Sequence, residues 1–218
     1  MTTKSMDAIE CIFTRRSIRK YKDKPIPWDD VIKILEAGKY APTAGNLQNF
    51  VFIAVREEEH RKKLAEACCS QKWMEKAPVH IIIVGEPAKA KRFYGTRGER
   101  LYTIQNCAAA VENMLLTANA LGYGSCWVGA FDEDMIRRLI VPPEDVIVYA
   151  VVTVGYADEA PESPPKYRIE HKVFLESWGQ KKKIPAWAMG WTSAVTMKKV
   201  KDTKRFFSKL GEKIKGKK

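Results

Sequence analysis

Residues 101–131 read LYTIQNCAAAVENMLLTANALGYGSCWVGAF and hold a helix, its stop and a strand in one unbroken stretch. Leu101, Ile104, Ala108, Val111, Leu115, Ala118 and Leu121 recur at helical spacing, so residues 101–121 are predicted to form a long helix that Gly122 ends. Its alanines allow close approach by neighbours, which suits a central or interface helix. After the glycines, SCWVGAF (residues 125–131) is short, apolar and β-rich, and reads as a strand.

The same alternation extends in both directions. FVFIAV (50–55), VHIIIVGEP (79–87) and VIVYAVVTVGY (146–156) read as buried strands. Helices are predicted near residues 6–15, 29–39, 57–69 and 132–140. In the first, Met6, Ile9, Ile12 and Phe13 form the apolar face; in the second, Val31, Ile32 and Leu35 face inward. Residues 89–100 are polar and contain glycine, so a mobile loop or cap is expected there. Strands alternating with helices imply a sheet covered on both faces, but pattern alone leaves strand direction open. A parallel Rossmann sheet is the obvious form, yet no GxGxxG follows any strand, which counts against a dinucleotide fold.

At 218 residues and 45% hydrophobic, the chain can build one sizeable core. No apolar run is long enough to span a bilayer and the first residues lack a secretory h-region, so a cytoplasmic protein is expected. Five cysteines show no metal-ligand spacing, and the adjacent pair Cys68–Cys69 suits neither a redox CxxC nor a zinc site. Reduced, buried thiols and no metal are therefore expected. The net charge of +12 resembles a nucleic-acid signal until it is located. Residues 198–218 hold ten Lys/Arg and two Asp/Glu, which leaves the rest only +4. That division suggests a body over residues 1–180 and a basic extension over 181–218. The extension carries Trp187, Trp191, the Phe206–Phe207 pair, and Val200, Phe207, Leu210 and Ile214 at helical spacing. It reads as a solvated helix or an arm packed on a partner subunit, ahead of an anionic membrane or nucleic acid as its contact.

No catalytic constellation is present: His60, His80 and His171 lie in no HExxH, and there is no nucleophile elbow and no P-loop. His80, within an apolar strand, reads as a structural histidine. Few acid–base groups beside several anion-binding ones suggest that a bound cofactor carries the reactivity. RRSIRKY (15–21) can bind phosphate through forked, charge-assisted hydrogen bonds, and in an extended segment Arg15, Ser17 and Arg19 project to one side. In isolation it reads more readily as a basic turn complementing a helix C-terminus. APTAGNLQNF (41–50) offers small residues for close backbone approach, and Asn46 and Gln48 offer donors and acceptors; alone it is an ordinary helix-stop loop. Lys166 and Arg168 in KYR supply alternate positive charges after a proline-rich link.

Taken in order, RRSIRKY, APTAGNLQNF, KAPVHIIIV, the alanine-rich helix running into LGYGSCWVGAF, and KYR before KVFLESWG resemble the nitroreductase family of FMN enzymes over residues 7–179. The resemblance implies an α+β fold: an α/β/α sandwich with a mainly antiparallel sheet, in an intertwined homodimer with two FMN sites at the interface. It implies that Arg15 and Ser17, with Arg16 beside them, serve the FMN phosphate, which Lys166 and Arg168 complete. Arg19 would sit near N1 and O2, where positive charge favours the reduced ring. Pro42, Thr43, Ala44, Asn46 and Gln48 match the loop that reaches the flavin from the partner subunit. Gln71 matches a polar position that contacts the ring or ribityl chain, and Val128 and Gly129 match the stretch along the isoalloxazine edge. Two departures stand out. Val128 replaces a Glu found in some members, which alters polarity beside the ring. Asn106 stands where an acid is frequent, with a consequence for dimer or helix contacts. The implied activity is ping-pong: NADH or NADPH reduces FMN, then an electron-poor acceptor such as a nitroaromatic, quinone or activated alkene is reduced, with no protein acid or base required. A protein that stores FMN or senses redox state without NAD(P)H turnover is the alternative.

Overall fold

The apolar run at residues 79–85 forms a strand in which every residue is buried, so both of its faces need a covering layer. The computed structural model describes residues 6–180; the features noted in the 181–218 extension lie outside them. The chain divides into two compact units, Met1–Ser163 and Pro164–Lys218. In the first, β1 (Phe50–Val55), β2 (Val79–Gly85), β3 (Gly124–Val128) and β4 (Ile147–Gly155) form a sheet of order β1-β2-β4-β3. All three ladders are antiparallel, which sets aside the parallel alternative that periodicity left open. Short apolar runs look alike in either arrangement, because burial on both faces erases alternation.

Helices α2 (Trp28–Lys39) and α5 (Thr103–Ala120) cover one face, and α3 (Glu58–Ala67) and α6 (Glu133–Ile140) the other. Val31, Ile34, Val111 and Met114 share a core with Ile81, Ile83, Ala150 and Val152. Leu64 and Ile136 share the opposite core with Ile82, Val84, Val148 and Val151. Each fully buried Ile, Val or Leu side chain contributes about 1.5–3 kcal/mol relative to exposure, so the two cores dominate the fold's stability. A register shift between Ile83 and Val84 leaves Tyr149 unopposed between partners Val148 and Ala150. This bulge puts Tyr149 and Ala150 on the same core.

Two expectations are corrected. The segment expected as a loop is mostly helical: α4 (Pro87–Arg97) starts on a proline, breaks at Gly95 (φ 58°, ψ −151°) and runs into a π-type turn, Gly98–Tyr102. The glycines that suggested a loop instead shape a kink, and Gly98 packs so closely on the Ala90 carbonyl that a Cβ would lie 2.3 Å from its oxygen. The second correction concerns α1 (Ala8–Thr14), whose start is capped by the Asp7 carboxylate accepting from Glu10 N–H at 2.9 Å. Its buried residue is Cys11, while Ile9, Ile12 and Phe13 are each more than half exposed. Asn119 on α5 sets that rotation, donating to the Cys11 carbonyl and to Thr14 Oγ1, both at 3.0 Å.

His80 is the structural histidine expected. Its Nε2 bonds the Met74 carbonyl at 2.9 Å, while Nδ1 is buried with no hydrogen-bond partner. Protonating Nδ1 would leave an uncompensated charge in the core, so burial pulls the pKa from 6.5 down to about 4. The unfolded chain takes up this proton near pH 6.5 and the folded one only near 4. His80 thus contributes fully above pH 6.5, and its contribution declines as pH falls toward 4. Urea unfolding at pH 7.5 and pH 4.5 should show a wild-type loss exceeding that of His80→Gln by up to about 3 kcal/mol. Equal losses in the two proteins would refute this account.

Candidate functional site

Beyond α1 the chain runs extended as a strap along the outer edge of β3. Ser17 bridges Ser125 in parallel, Tyr21 bridges Ala157, and Ile18 N–H donates to the Ser125 carbonyl at 2.9 Å. Two glycines make room for it: a Cβ on Gly124 would lie 2.8 Å from Ile18, and one on Gly155 would lie 2.6 Å from Tyr21. Ile18 and Tyr21 are buried with Ala77, which fixes the strap's rotation. The charges of Arg15 and Arg19 and the Ser17 hydroxyl all bear on the buried Cys126 thiol. Burial pushes that thiol's pKa up, while the Arg19 charge, a Ser17 hydrogen bond and the Arg15 charge pull it back.

The arginines differ in what they do. Arg15 Nε is buried with no hydrogen-bond partner, its nearest counter-charge being Glu112 Oε1 at 3.5 Å. Arg16 donates to the Phe13 and Arg15 carbonyls at 2.8 and 2.6 Å; it caps α1, the structural role its position also allowed. The Arg19 and Lys20 backbone N–H groups both donate to Glu159 Oε1, at 2.5 and 3.0 Å. A cavity of about 380 Å³ is lined by Arg15, Arg16, Gly124 and Ser125, and one of about 410 Å³ by Arg19, Tyr21, Trp73 and Lys76.

Gln71 lies in the return from α3 to β2. Before it the Ala67 carbonyl accepts from Asp132 N–H, and after it Trp73 stacks on Tyr21 at 6.4 Å. Its own amide is engaged locally, donating to the Cys68 carbonyl and accepting from Trp73 Nε1. At the end of β3, the Val128 side chain is buried in the core with Cys68 and Met74. Only the Val128 backbone is available. Gly129 is exposed, and a Cβ built on it would meet nothing closer than Trp127 Nε1 at 3.9 Å.

Pro42, Thr43, Ala44, Asn46 and Gln48 occupy the loop between α2 and β1, with Pro42, Asn46 and Gln48 exposed. The sheet order puts β1 at one edge and β3 at the other, about 14 Å apart at the usual strand spacing. One copy of the fold therefore does not unite this loop with the strap. Asn106 is buried within the chain, and its Oδ1 accepts from Ala44 N–H at 3.0 Å. Lys166 and Arg168 are exposed residues of the second unit, ahead of a 3-10 turn at Ile169–His171. Sequence reasoning missed Glu112, Glu159, Trp73, Asn49 and Thr103. Only Asn49 carried a signal, through its place beside the loop. No cluster of metal ligands exists among the described residues, and no helix there is long and apolar enough to cross a membrane.

Comparison with known proteins agrees with this geometry. The model of the Nitroreductase family matches residues 12–71 and 67–156. A protein of Archaeoglobus fulgidus named for NADH dehydrogenase and NAD(P)H nitroreductase activity is 38% identical over 154 residues, covering 69% of this chain and 85% of its own. An NADH dehydrogenase of Thermus thermophilus is 30% identical, covering 75% of this chain and 92% of its own. Among solved structures, Bacillus megaterium NfrA2 superposes with a TM-score of 0.74 at 23% identity, covering 90% of this chain and 85% of that one. On the family match and these relatives, the chain belongs to the nitroreductase family.

Proposed function

We propose that the protein is an FMN-dependent, NAD(P)H-oxidising reductase that works as a homodimer, each flavin site joining the strap of one copy to the 42–48 loop of the other. One observation carries this reading. Two halves that suit one ligand lie at opposite edges of the sheet, an arrangement that supports pairing of the strap of one copy with the loop of another. The exposed Ile9, Ile12 and Phe13 on α1 supply an apolar surface for that copy. Relatives point the same way: the Archaeoglobus protein carries NAD(P)H in its name, and a Bacillus subtilis protein 26% identical to this chain is an FMN reductase [NAD(P)H].

The residues present fit FMN. Arg15 keeps a buried Nε without a hydrogen bond beside a cavity, and with the Ser17 hydroxyl it can hold a phosphate dianion. Arg19 would place positive charge by the pyrimidine side of the ring. Gly129 leaves open space for the ring edge, with backbone groups of residues 128–129 to meet it. Bound FMN would accept hydride from NAD(P)H and pass it to an electron-poor acceptor such as a nitroaromatic, quinone or activated alkene, in ping-pong order. The protein's part is binding, orientation and electrostatics, so a catalytic acid or base is not needed.

The visible spectrum of the purified full chain, taken anaerobically before and after NADH or NADPH, tests this. Flavin absorption that bleaches with either nucleotide is expected. Absorption that persists would favour FMN storage, and none after reconstitution with FMN would overturn the proposal. Gly129→Val tests the ring's position. It should leave apo-protein stability within about 0.5 kcal/mol and weaken FMN roughly tenfold or more. Unchanged affinity would remove Gly129 from the site.

A further inference from the structure

The 41–48 loop turns through left-handed backbone. Gly45, Asn46 and Gln48 have φ of 55°, 56° and 47°; glycine takes that region freely and asparagine readily, and Gln48 is strained there. Local bonds close the loop on itself: Asn46 N–H to the Thr43 carbonyl at 3.0 Å, and Gln48 N–H to Thr43 Oγ1 at 3.1 Å. Strain of this kind persists only where the surroundings over-determine it. Here the surroundings reach the loop through the Ala44 N–H, which donates to Asn106 Oδ1.

Behind Asn106 stands a buried chain of neutral groups. Asn106 Nδ2 donates to Asn49 Oδ1 at 2.7 Å, and Asn49 Nδ2 donates to Thr103 Oγ1 at 3.0 Å and to the Glu86 carbonyl at 3.2 Å. Thr103 Oγ1 donates to the Gly98 carbonyl at 3.0 Å. The directions are forced. Asn49 gives away its amide protons, so its Oδ1 needs a donor, while Ala44 N–H needs an acceptor. A neutral amide at position 106 supplies one of each. The far end of the chain reaches the π-type turn after α4, and α4 itself meets the loop, since a Cβ on Gly45 would lie 2.2 Å from the Tyr94 hydroxyl.

We propose that Asn106 is a positioning residue for the flavin: through Ala44 it holds the 42–48 loop in the one shape that presents Asn46 and Gln48 to the ring, and through Asn49, Thr103 and Gly98 it couples that shape to α4. This rests on the reading that the loop contacts FMN. It accounts for an amide here in place of an acid: an ionised carboxylate would set oxygen against Asn49 Oδ1, whereas a protonated one would mimic the amide.

Asn106→Asp in the full chain turns that difference into a measurement. FMN dissociation constants, followed by flavin fluorescence, and apo-protein unfolding temperatures are read from pH 5.5 to 8.5 for wild type and variant. The ratio of variant to wild-type constants should rise with pH, from near one to roughly tenfold, as the buried carboxyl ionises. Thr103→Val, which breaks the chain without adding charge, should weaken FMN several-fold at every pH and serves alone should the first variant not fold. Wild-type FMN affinity in Thr103→Val, and at every pH in whatever Asn106→Asp protein folds, would overturn the proposal, even with lowered unfolding temperatures, and reduce the network to a brace. Wild-type protein that binds no FMN would instead remove the flavin reading itself.

Discussion

Burial of β2 and β4 on both faces is the constraint from which the rest follows. Ile81 and Ile83 look one way and Ile82 and Val84 the other, so neither face can meet water and each must carry a helical layer. A sheet closed in this way has only its two edges left for recognition. At the β3 edge the strap fills part of that space, docked by the buried Ile18 and Tyr21, and carries Arg15, Ser17 and Arg19 with it. At the β1 edge the chain leaves α2 through a loop of left-handed residues. Function is thereby assigned to edges and connections while the cores stay inert.

Inertness is visible in the titratable groups. Burial pulls His80 down to about 4 and pushes the Cys68 and Cys107 thiols up to about 12, so these residues stay neutral across the physiological range. Tyr21, its acidity suppressed by burial, keeps its proton and bonds the Ile18 carbonyl at 2.7 Å, locking the strap. Nothing in these cores is poised for acid–base chemistry, in keeping with an enzyme whose bound cofactor does the reacting. Three of the buried polar residues, Asn49, Thr103 and Asn106, bond one another, and Asn106 also accepts from the Ala44 N–H of the loop.

Much of this was legible from local pattern. The helix at 103–120 and the strands at 50–55 and 79–85 follow from apolar periodicity and run length. Reading α1 failed because helical spacing marks an apolar face without saying what covers it. Residues 87–97 were hidden by Gly95 and Gly98, which serve a kink and a close contact where a loop was expected. The surroundings of Val128 and Asn106 come from Cys68, Met74, Ala44 and Asn49, distant in sequence.

The sequence by itself determined most of the elements and their order, because propensity, periodicity and short motifs are local properties of the chain. Strand direction, open to periodicity, came from the family resemblance and is borne out by three antiparallel ladders; only the tertiary structure decided that α1 turns its apolar face outward and that strap and loop stand at opposite sheet edges. Those outcomes depend on which distant surfaces meet, and on which buried donors and acceptors must find one another. No local pattern encodes that.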